Sequence, residues 1–97
     1  MAKQITEQEM WDLIGFIKIS PLRQKTLYAL KDEYLIPSEI ARKTGMNTTQ
    51  TSGALMDLKE KNLVICMNES AHKGRIYQST ELGIEIIDFI ESKKTRF

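Results

Sequence analysis

Apolar residues recur every three or four positions through the first third of the chain, which predicts helices there. Thr6 and Glu9 form a capping box at the start of the first helix, predicted over residues 6–19. A serine–proline pair predicts a second helix from Pro21 to about Lys31, because serine caps helix starts and proline suits the first helical position.

The middle of the chain predicts two further helices joined by a glycine turn. A β-prone run at 34–36 comes first and predicts one edge strand. Pro37 then starts a helix, and Gly45 ends it as a C-terminal cap. Asn47 starts the next helix, with Gln50 as its capping partner. The residues on the buried side of this helix follow helical spacing: Thr51, Ala54, Leu55, Leu58 and Asn62.

The last third of the chain predicts a hairpin and a final helix. Residues 64–67 and 76–79 are β-prone, and a loop that contains Gly74 separates them, so they are expected to pair as an antiparallel hairpin. Thr80 is expected to cap a last helix that ends near Ser92.

Helix, glycine turn, helix and hairpin follow one another in the order of a helix-turn-helix with a wing. The predicted fold class is mainly α with a small β-hairpin (α+β): a winged helix-turn-helix with additional N- and C-terminal helices. Residues 1–97 are predicted to form one domain, with the winged-helix core at 21–80 and a dimerisation helix at 81–92. Duplex DNA is the expected partner, because this architecture places its second helix in the major groove.

Composition argues against several other classes of protein. Hydrophobic residues make up 41% of the chain and charged residues 28%, as in ordinary globular proteins. No apolar run approaches the ~20 residues of a membrane span, and the N-terminus lacks the apolar core of a secretory signal, so a cytoplasmic location is expected. The sequence has no Gly-rich phosphate loop, no metal-ligand cluster and no ordered nucleophile–base set, so no catalytic residue, metal or cofactor is predicted.

Cys66 is the only cysteine and cannot form an internal disulfide. It could act as a redox sensor or share a metal with His72, the only histidine. A free cysteine in a strand is more often a small buried residue, and one Cys with one His is too few for a closed zinc site. We therefore favour a packing role for Cys66.

The distribution of charge along the chain says more about nucleic-acid binding than the net charge of +1 does. Residues 18–31 carry four basic side chains and no acidic one, and residues 42–80 carry six basic and three acidic ones. The segments 32–41 and 81–91 are acidic. Basic patches on a nearly neutral protein can attract phosphate, so the pattern permits DNA binding.

The N-terminal half of the helix after the glycine turn is predicted to contact bases. With the Leu55 and Leu58 side buried, its polar residues face outward, and Gln suits adenine while Thr suits thymine. The candidate residues are Asn47, Thr48, Thr49, Gln50, Ser52 and Gly53. The alternative is a polar helix start with no role in binding.

The hairpin loop is predicted to contact the DNA backbone or the minor groove, where negative potential is concentrated. Its candidate residues are His72, Lys73, Gly74 and Arg75. Arg75 is the strongest of them because a glycine precedes it. Five further residues are predicted to contact phosphates and to set affinity rather than sequence preference: Arg23, Lys25, Ser38, Arg42 and Lys43. The alternative for the loop is an ordinary solvated turn.

These pieces also resemble a known family over about Pro21 to Ile87. The matching pieces are Pro37-Ser38-Glu39-Ile40-Ala41, Thr44-Gly45, Ser52, Ala54-Leu55, Leu58, Lys61-Asn62-Leu63-Val64, Cys66, Lys73-Gly74-Arg75-Ile76-Tyr77 and Thr80-Glu81-Leu82-Gly83. In this order and at these spacings the chain resembles archaeal winged helix-turn-helix transcriptional regulators of the MarR/ArsR-like superfamily. The resemblance implies a DNA-binding regulator of transcription.

The chain departs from that family pattern in the base-contacting helix. Thr48 and Thr51 stand where relatives often have bulky apolar residues, and Gly53 where they often have a larger or basic one. A recognition helix of this kind is expected to be weakly specific and to rely on the hairpin loop and on DNA shape. Asn62 replaces a common glycine, which Asn can imitate because it tolerates positive φ.

The terminal helices carry more apolar residues than one core contact needs. The stripe predicted for the last helix comprises Leu82, Ile86, Phe89 and Ile90, with Ile84 and Ile87 pointing away from its centre. A helix that is apolar on nearly all sides is usually covered on nearly all sides, so a second subunit is expected. The predicted dimer-interface residues are Trp11, Phe16, Ile84, Ile87, Phe89 and Ile90. The alternative is that both helices surround one intramolecular core.

Two functional hypotheses follow from these patterns. The first is a homodimeric DNA-binding transcriptional regulator without membrane association, whose effector, if any, is unknown. The second is a winged-helix protein–protein interaction module without specific DNA binding, since a fold does not determine function. An enzyme is the least expected class.

Overall fold

The computed structural model describes residues 5–94, with side chains as far as residue 92, and confirms the predicted winged helix-turn-helix. Over those residues the chain forms five helices and one two-stranded antiparallel sheet. The elements are α1 (Glu7–Lys18), α2 (Pro21–Ala29), α3 (Pro37–Thr44), α4 (Thr48–Glu60), β1 (Val64–Cys66), β2 (Tyr77–Ser79) and α5 (Glu81–Lys94). None of the helices described is both long and apolar enough to cross a lipid bilayer.

Side-chain caps determine where the helices begin. The Thr6 hydroxyl accepts the Glu9 N–H at 3.1 Å, and the Glu9 carboxylate accepts the Thr6 N–H at 2.8 Å. Ser20 caps α2 and Thr80 caps α5 in the same way, each accepting the N–H of the residue three positions later. These caps are the ones that the sequence predicts, because the N–H groups of a first helical turn have no partner within the helix.

One hydrophobic core lies between the helices and the inner face of the hairpin. Its buried residues are Ile14, Ile17, Leu27, Ala29, Leu30, Leu35, Ile40, Leu55, Leu58, Leu63, Val64, Cys66, Tyr77, Ile86, Ile87 and Ile90. Gly83 lets α5 approach this core closely, because a Cβ at Gly83 would lie only 2.3 Å from the Leu63 carbonyl oxygen.

The hairpin is shorter than predicted and receives one bridge from outside. β1 and β2 pair in antiparallel register over three residues each. The edge strand expected at 34–36 is reduced to a single bridge, in which Leu35 and Tyr77 exchange hydrogen bonds of 3.1 and 2.9 Å. Pro37 has no N–H to extend this pairing and instead starts α3.

α2 ends at Ala29 rather than near Lys31. The Leu30 carbonyl accepts the Ser79 N–H of β2 at 3.1 Å. This carbonyl is therefore bonded to the hairpin and not to a further turn of α2. The Lys31 ammonium lies 3.4 Å from two carboxylates of α5. Contacts with distant parts of the chain, which periodicity does not register, therefore end this helix.

The apolar stripe of α5 differs from the predicted one, and two dimer-interface residues are corrected. Ile87 and Ile90 have exposures of 0% and 3% within the single chain, so their side chains are already covered and are not available to a second subunit. Ile84 and Phe89 remain half-buried. The close approach of Gly83 to Leu63 sets the rotation of α5 and turns Ile87 inward.

Candidate nucleic-acid interface

The turn between α3 and α4 positions the predicted base-contacting helix. Gly45 has a φ of 78°, the left-handed value that glycine adopts at little cost, and its N–H donates to the Ala41 carbonyl at 2.9 Å. Met46 then turns into the interior, with an exposure of 7%. This anchor presents the start of α4, with Asn47 as its N-cap, on the surface of the domain.

The outer face of α4 has the exposure that the sequence predicts. Thr51 is fully buried, and Leu55 and Leu58 face the core. The candidate base-contacting residues are all exposed: Asn47, Thr48, Thr49, Gln50, Ser52 and Gly53. Met56 continues this face one turn later, with 66% of its surface exposed. The face is therefore polar at its start and apolar at Met56.

The side chain of Gln50 is exposed and also caps the start of α4 through a hydrogen bond. Its Oε1 accepts the Asn47 N–H at 3.0 Å, and Asn47 Oδ1 accepts the Gln50 N–H at 2.7 Å, which completes the predicted capping box. The paired contact of Gln with adenine needs both its oxygen and its nitrogen. Gln50 can make that contact only by sharing or releasing the oxygen that caps α4.

The loop of residues 68–75, called the wing loop below, presents its basic tip to solvent. His72, Lys73 and Gly74 are exposed, and Gly74 adopts the left-handed region with φ 65°. Arg75 is half-buried, and its Nε donates to the Ala71 carbonyl at 2.8 Å. The guanidinium is thus held against the loop by one of its nitrogens, while its terminal nitrogens can still donate to a phosphate.

An ion pair joins the wing loop to α4. The Lys59 ammonium lies 2.9 Å and 2.8 Å from the two carboxylate oxygens of Glu69. The hydrogen bond from Lys59 lowers the pKa of Glu69, with a further lowering from the charge of Arg75. The same hydrogen bond raises the pKa of Lys59. Both groups are exposed, so the pair orients the loop more than it stabilises the fold.

Two of the predicted phosphate contacts are engaged inside the domain. Arg23 lies 3.3 Å from Asp57, donates to the Phe16 carbonyl at 2.9 Å and stacks 3.9 Å from the centroid of the Phe16 ring. These contacts join α1, α2 and α4, so Arg23 has a packing role that competes with the predicted phosphate contact. Lys43 forms an ion pair with Glu33.

The other predicted phosphate contacts remain on the surface. Lys25, Ser38 and Arg42 are exposed, and no ion pair involves them among the residues that the structure describes. Arg42 lies in the last turn of α3, before the glycine turn. Their exposure leaves Lys25, Ser38 and Arg42 in the candidate set.

Aromatic residues of α1 and α5 form a second exposed surface. Trp11 has 49% of its surface exposed and meets Phe89 edge-on, with ring centroids 5.3 Å apart and an interplanar angle of 87°. Ile84 is half-buried on α5 and stays a predicted dimer-interface residue. Phe16 is half-buried under the Arg23 guanidinium, so it belongs to the packing of α1 more than to this surface. Trp11 and Phe89 are called the terminal-helix surface below.

Cys66 has the buried position favoured from the sequence. Its exposure is 4%, and its thiol lies 3.7 Å from Asn68 Oδ1. No group of three or more His, Cys, Asp or Glu side chains that could hold a metal occurs in the part of the chain that the structure describes.

Three residues with a part in this surface were not singled out from the sequence. Lys59 and Glu69 form the ion pair described above, and Asn68 makes three hydrogen bonds across the wing loop. An asparagine at the entrance to a hairpin loop is a known signal, because its side chain bonds readily to nearby backbone. The ion pair had no such local signal, since its partners are ten residues apart.

Comparison with known proteins identifies the same fold. No protein-family model and no curated protein matches the chain. Among solved structures it is similar to a MarR family regulator from Neisseria meningitidis, with a TM-score of 0.69 and 20% identity over 89% of this chain and 62% of that one. The chain thus spans less than two thirds of that regulator's length.

Two further structures match over most of both chains. One is TubR bound to 24 bp of tubC from Bacillus thuringiensis, with a TM-score of 0.75, 13% identity, and coverage of 95% of this chain and 99% of that one. The other is a homodimeric winged helix-turn-helix DNA-binding domain from Mycobacterium bovis, a possible ArsR-family regulator. Its TM-score is 0.66 at 23% identity, over 98% of this chain and 88% of that one. At identities of 13–23%, these likenesses establish the fold.

Proposed function

We propose that this chain is a DNA-binding transcription regulator that acts as a homodimer. The N-terminal face of α4 enters the major groove, and the wing loop contacts the backbone or the minor groove. The observation that carries the proposal is the exposed polar face from Asn47 to Gly53, which starts at a capped helix N-terminus. A helix N-terminus presents partly positive N–H groups, which favour approach to phosphate.

The acidic side chains support this orientation. A cleft of about 630 Å³ at the far end of α4 is lined by one basic residue, Lys61, and by four acidic ones, Glu9, Asp12, Glu60 and Glu81. α4 has 13 residues and a length of ~20 Å, and Glu60 lies at the opposite end from its polar start. DNA would be repelled from the acidic end, so the charge distribution favours contact at the start of α4.

The terminal-helix surface supports the homodimer. Trp11 is the largest apolar side chain left half-exposed on α1, and Phe89 beside it is incompletely covered. An exposed aromatic cluster of this kind is typical of interface cores. A symmetric dimer would place two copies of α4 about one DNA turn apart, so the half-sites would be separated by ~10 bp.

The descriptions of two structural neighbours also support a DNA-binding homodimer. TubR was solved on DNA, and the Mycobacterium bovis domain is described as homodimeric. These properties belong to those proteins. They support DNA and a second copy as the first partners to test for this chain, and the archaeal origin implied by the resemblance remains a prediction.

Selection from a random pool of duplexes, followed by binding at several salt concentrations, tests the proposal. Affinity for the selected duplex is expected to fall steeply as salt rises, because each phosphate contact releases counterions. Absence of binding to every duplex at low salt would refute the proposal.

A protein-docking module is the second candidate, and two observations favour it. Arg23, Lys43 and Lys59 are paired with acidic side chains, which reduces the free positive charge. Ile65 and Met67 on the outer side of the hairpin are 48% and 53% exposed. Docking through such apolar residues would change little with salt, so the same titration separates the two candidates.

A further inference from the structure

Asn68 joins the two ends of the wing loop through its side chain. Its Oδ1 accepts the Ile76 N–H at 2.7 Å, and its Nδ2 donates to the Gly74 carbonyl at 3.2 Å. Gly74 and Ile76 are the neighbours of Arg75 on either side. One asparagine side chain therefore holds the backbone immediately before and immediately after that arginine.

The main chain of Asn68 supports the same arginine by a second route. Its carbonyl accepts the Ala71 N–H at 3.0 Å, which forms a turn at the entrance to the loop. The Ala71 carbonyl in turn accepts the Arg75 Nε–H at 2.8 Å. The side chain of Arg75 is thus attached to a turn that begins at Asn68.

These bonds matter because the rest of the loop has few contacts besides the Lys59–Glu69 ion pair, which holds it at one exposed side chain. Ser70, His72, Lys73 and Gly74 are exposed, and the loop has no strand pairing beyond the bond from the Met67 N–H to the Ile76 carbonyl at 2.7 Å. An arginine on an unsupported loop would lose conformational entropy on binding a phosphate. Asn68 has already restricted Arg75 in the free protein.

From this geometry we infer that Asn68 is a positioning residue, which holds Arg75 in the orientation that contacts DNA. The inference rests on the proposed function and adds a residue to it. Asn68 itself does not touch DNA. Its effect on binding passes through the backbone around Arg75 and through the Ala71 carbonyl.

A double-mutant cycle between Asn68→Ala and Arg75→Ala tests the inference. Arg75→Ala is expected to weaken binding to unrelated duplexes alike and to lower the salt slope by about one. Asn68→Ala is expected to reproduce most of that loss, about five- to tenfold, because the arginine must be ordered anew on binding. With Arg75 already replaced, Asn68→Ala should cost nothing further, since coupled residues are not additive.

A measurement without DNA separates positioning from general stability. The Arg75 Nε–H signal in NMR should show slow solvent exchange in the unaltered chain and faster exchange in Asn68→Ala, at a temperature where thermal unfolding shows both to be folded. Gln78→Ala, which changes another amide side chain of the hairpin outside the wing loop, is the matched control and should leave both the signal and the affinity unchanged.

The outcomes distinguish the assignment of Asn68 from the proposed function. Failure of the unaltered chain to bind any duplex would refute the proposed function. If the unaltered chain binds DNA, two results would refute the role of Asn68 while leaving the proposed function intact. One is a loss of affinity in the double variant equal to the product of the two single losses, and the other is full affinity in Asn68→Ala. An unchanged Arg75 Nε–H exchange rate in Asn68→Ala would also overturn it.

Discussion

Gln50 combines two roles in one side chain, as a capping partner and as a candidate base contact. Its position on the outer face follows from helical spacing alone, and the structure confirms that exposure. Its bond to the Asn47 N–H ties any change at Gln50 to the stability of α4. A substitution that alters DNA binding at this position therefore needs a companion that keeps the cap.

Gln50→Ala and Gln50→Glu separate these roles. Glutamate also completes a capping box, so Gln50→Glu should unfold near the temperature of the unaltered chain, while Gln50→Ala should lose about 0.3–1.5 kcal/mol of stability. Both variants should bind DNA differently from the unaltered chain. Gln50→Ala should lose ~1–3 kcal/mol of preference at one base pair, and Gln50→Glu should bind all duplexes more weakly. Thermal unfolding and duplex selection measure the two effects. Unchanged base preference in Gln50→Ala would remove Gln50 from the candidate base contacts.

Gly53 and Gly15 form a matched pair for testing the outer face of α4. Both lie inside helices, both are exposed, and a Cβ at either would meet no atom within 4 Å. Gly53→Ala and Gly15→Ala should each raise the free energy of unfolding by roughly 0.5–1 kcal/mol, measured by denaturant titration. Only Gly53→Ala should alter affinity for DNA. An equal effect of both changes on affinity would contradict the placement of the interface on α4.

At the scale of the elements, the wing loop is connected to α4 by one exposed ion pair. The pair of Lys59 and Glu69 joins a helix to a loop ten residues away, and the charge of Arg75 also acts on Glu69. Two of the three residues lie in the wing loop itself. The charge state of the wing loop is therefore sensitive to changes in α4 that lie outside the face proposed to contact DNA.

The lowered pKa of Glu69 gives this connection a defined pH dependence. A carboxyl whose pKa is lower in the folded chain contributes stability above its ordinary value of 4.5, and that contribution is lost as pH falls through the lowered folded value. Lys59→Gln should therefore move the pKa of Glu69 back upward, followed by NMR titration of its carboxyl carbon. Lys61→Gln, a neighbouring change with no ion pair among the described residues, is the control and should leave it in place. An unshifted pKa in Lys59→Gln would show that the pair does not form in solution.

At the scale of the whole molecule, the surface proposed to contact DNA and the surface proposed for the dimer are formed by different helices. The polar start of α4 and the wing loop form the first surface, while Trp11 on α1 and Phe89 on α5 form the second. Burial of Ile87 and Ile90 within the single chain makes the terminal-helix surface smaller than the sequence predicts. A dimer through it must therefore depend heavily on Trp11.

Trp11→Glu and Ile84→Glu test the proposed dimer interface, since both residues are predicted members of it. Each places a carboxylate in the proposed interface, where burial of an unpaired charge is costly, so each should shift the chain toward monomer in sedimentation equilibrium. Met67→Glu changes an equally exposed apolar residue on the hairpin and should leave the mass unchanged. A monomeric unaltered chain, or variants that remain dimeric, would refute this interface.

The sequence by itself determined the features that depend on near neighbours. The caps at Thr6, Ser20, Asn47 and Thr80 and the glycine turn at Gly45 are bonds between residues a few positions apart, so local patterns predict them. The exposure of the outer face of α4 follows from helical spacing in the same way. The winged helix-turn-helix, with its polar candidate face, was therefore predictable.

The tertiary structure alone decided the features that depend on distant contacts. Arg23 became a packing residue because α4 supplies Asp57, 34 residues away. Ile87 turned inward because Gly83 fits against Leu63, and the wing loop is organised by bonds that cross it from Asn68. Packing and backbone closure select these partners among many of similar chemistry, so periodicity and charge cannot single them out.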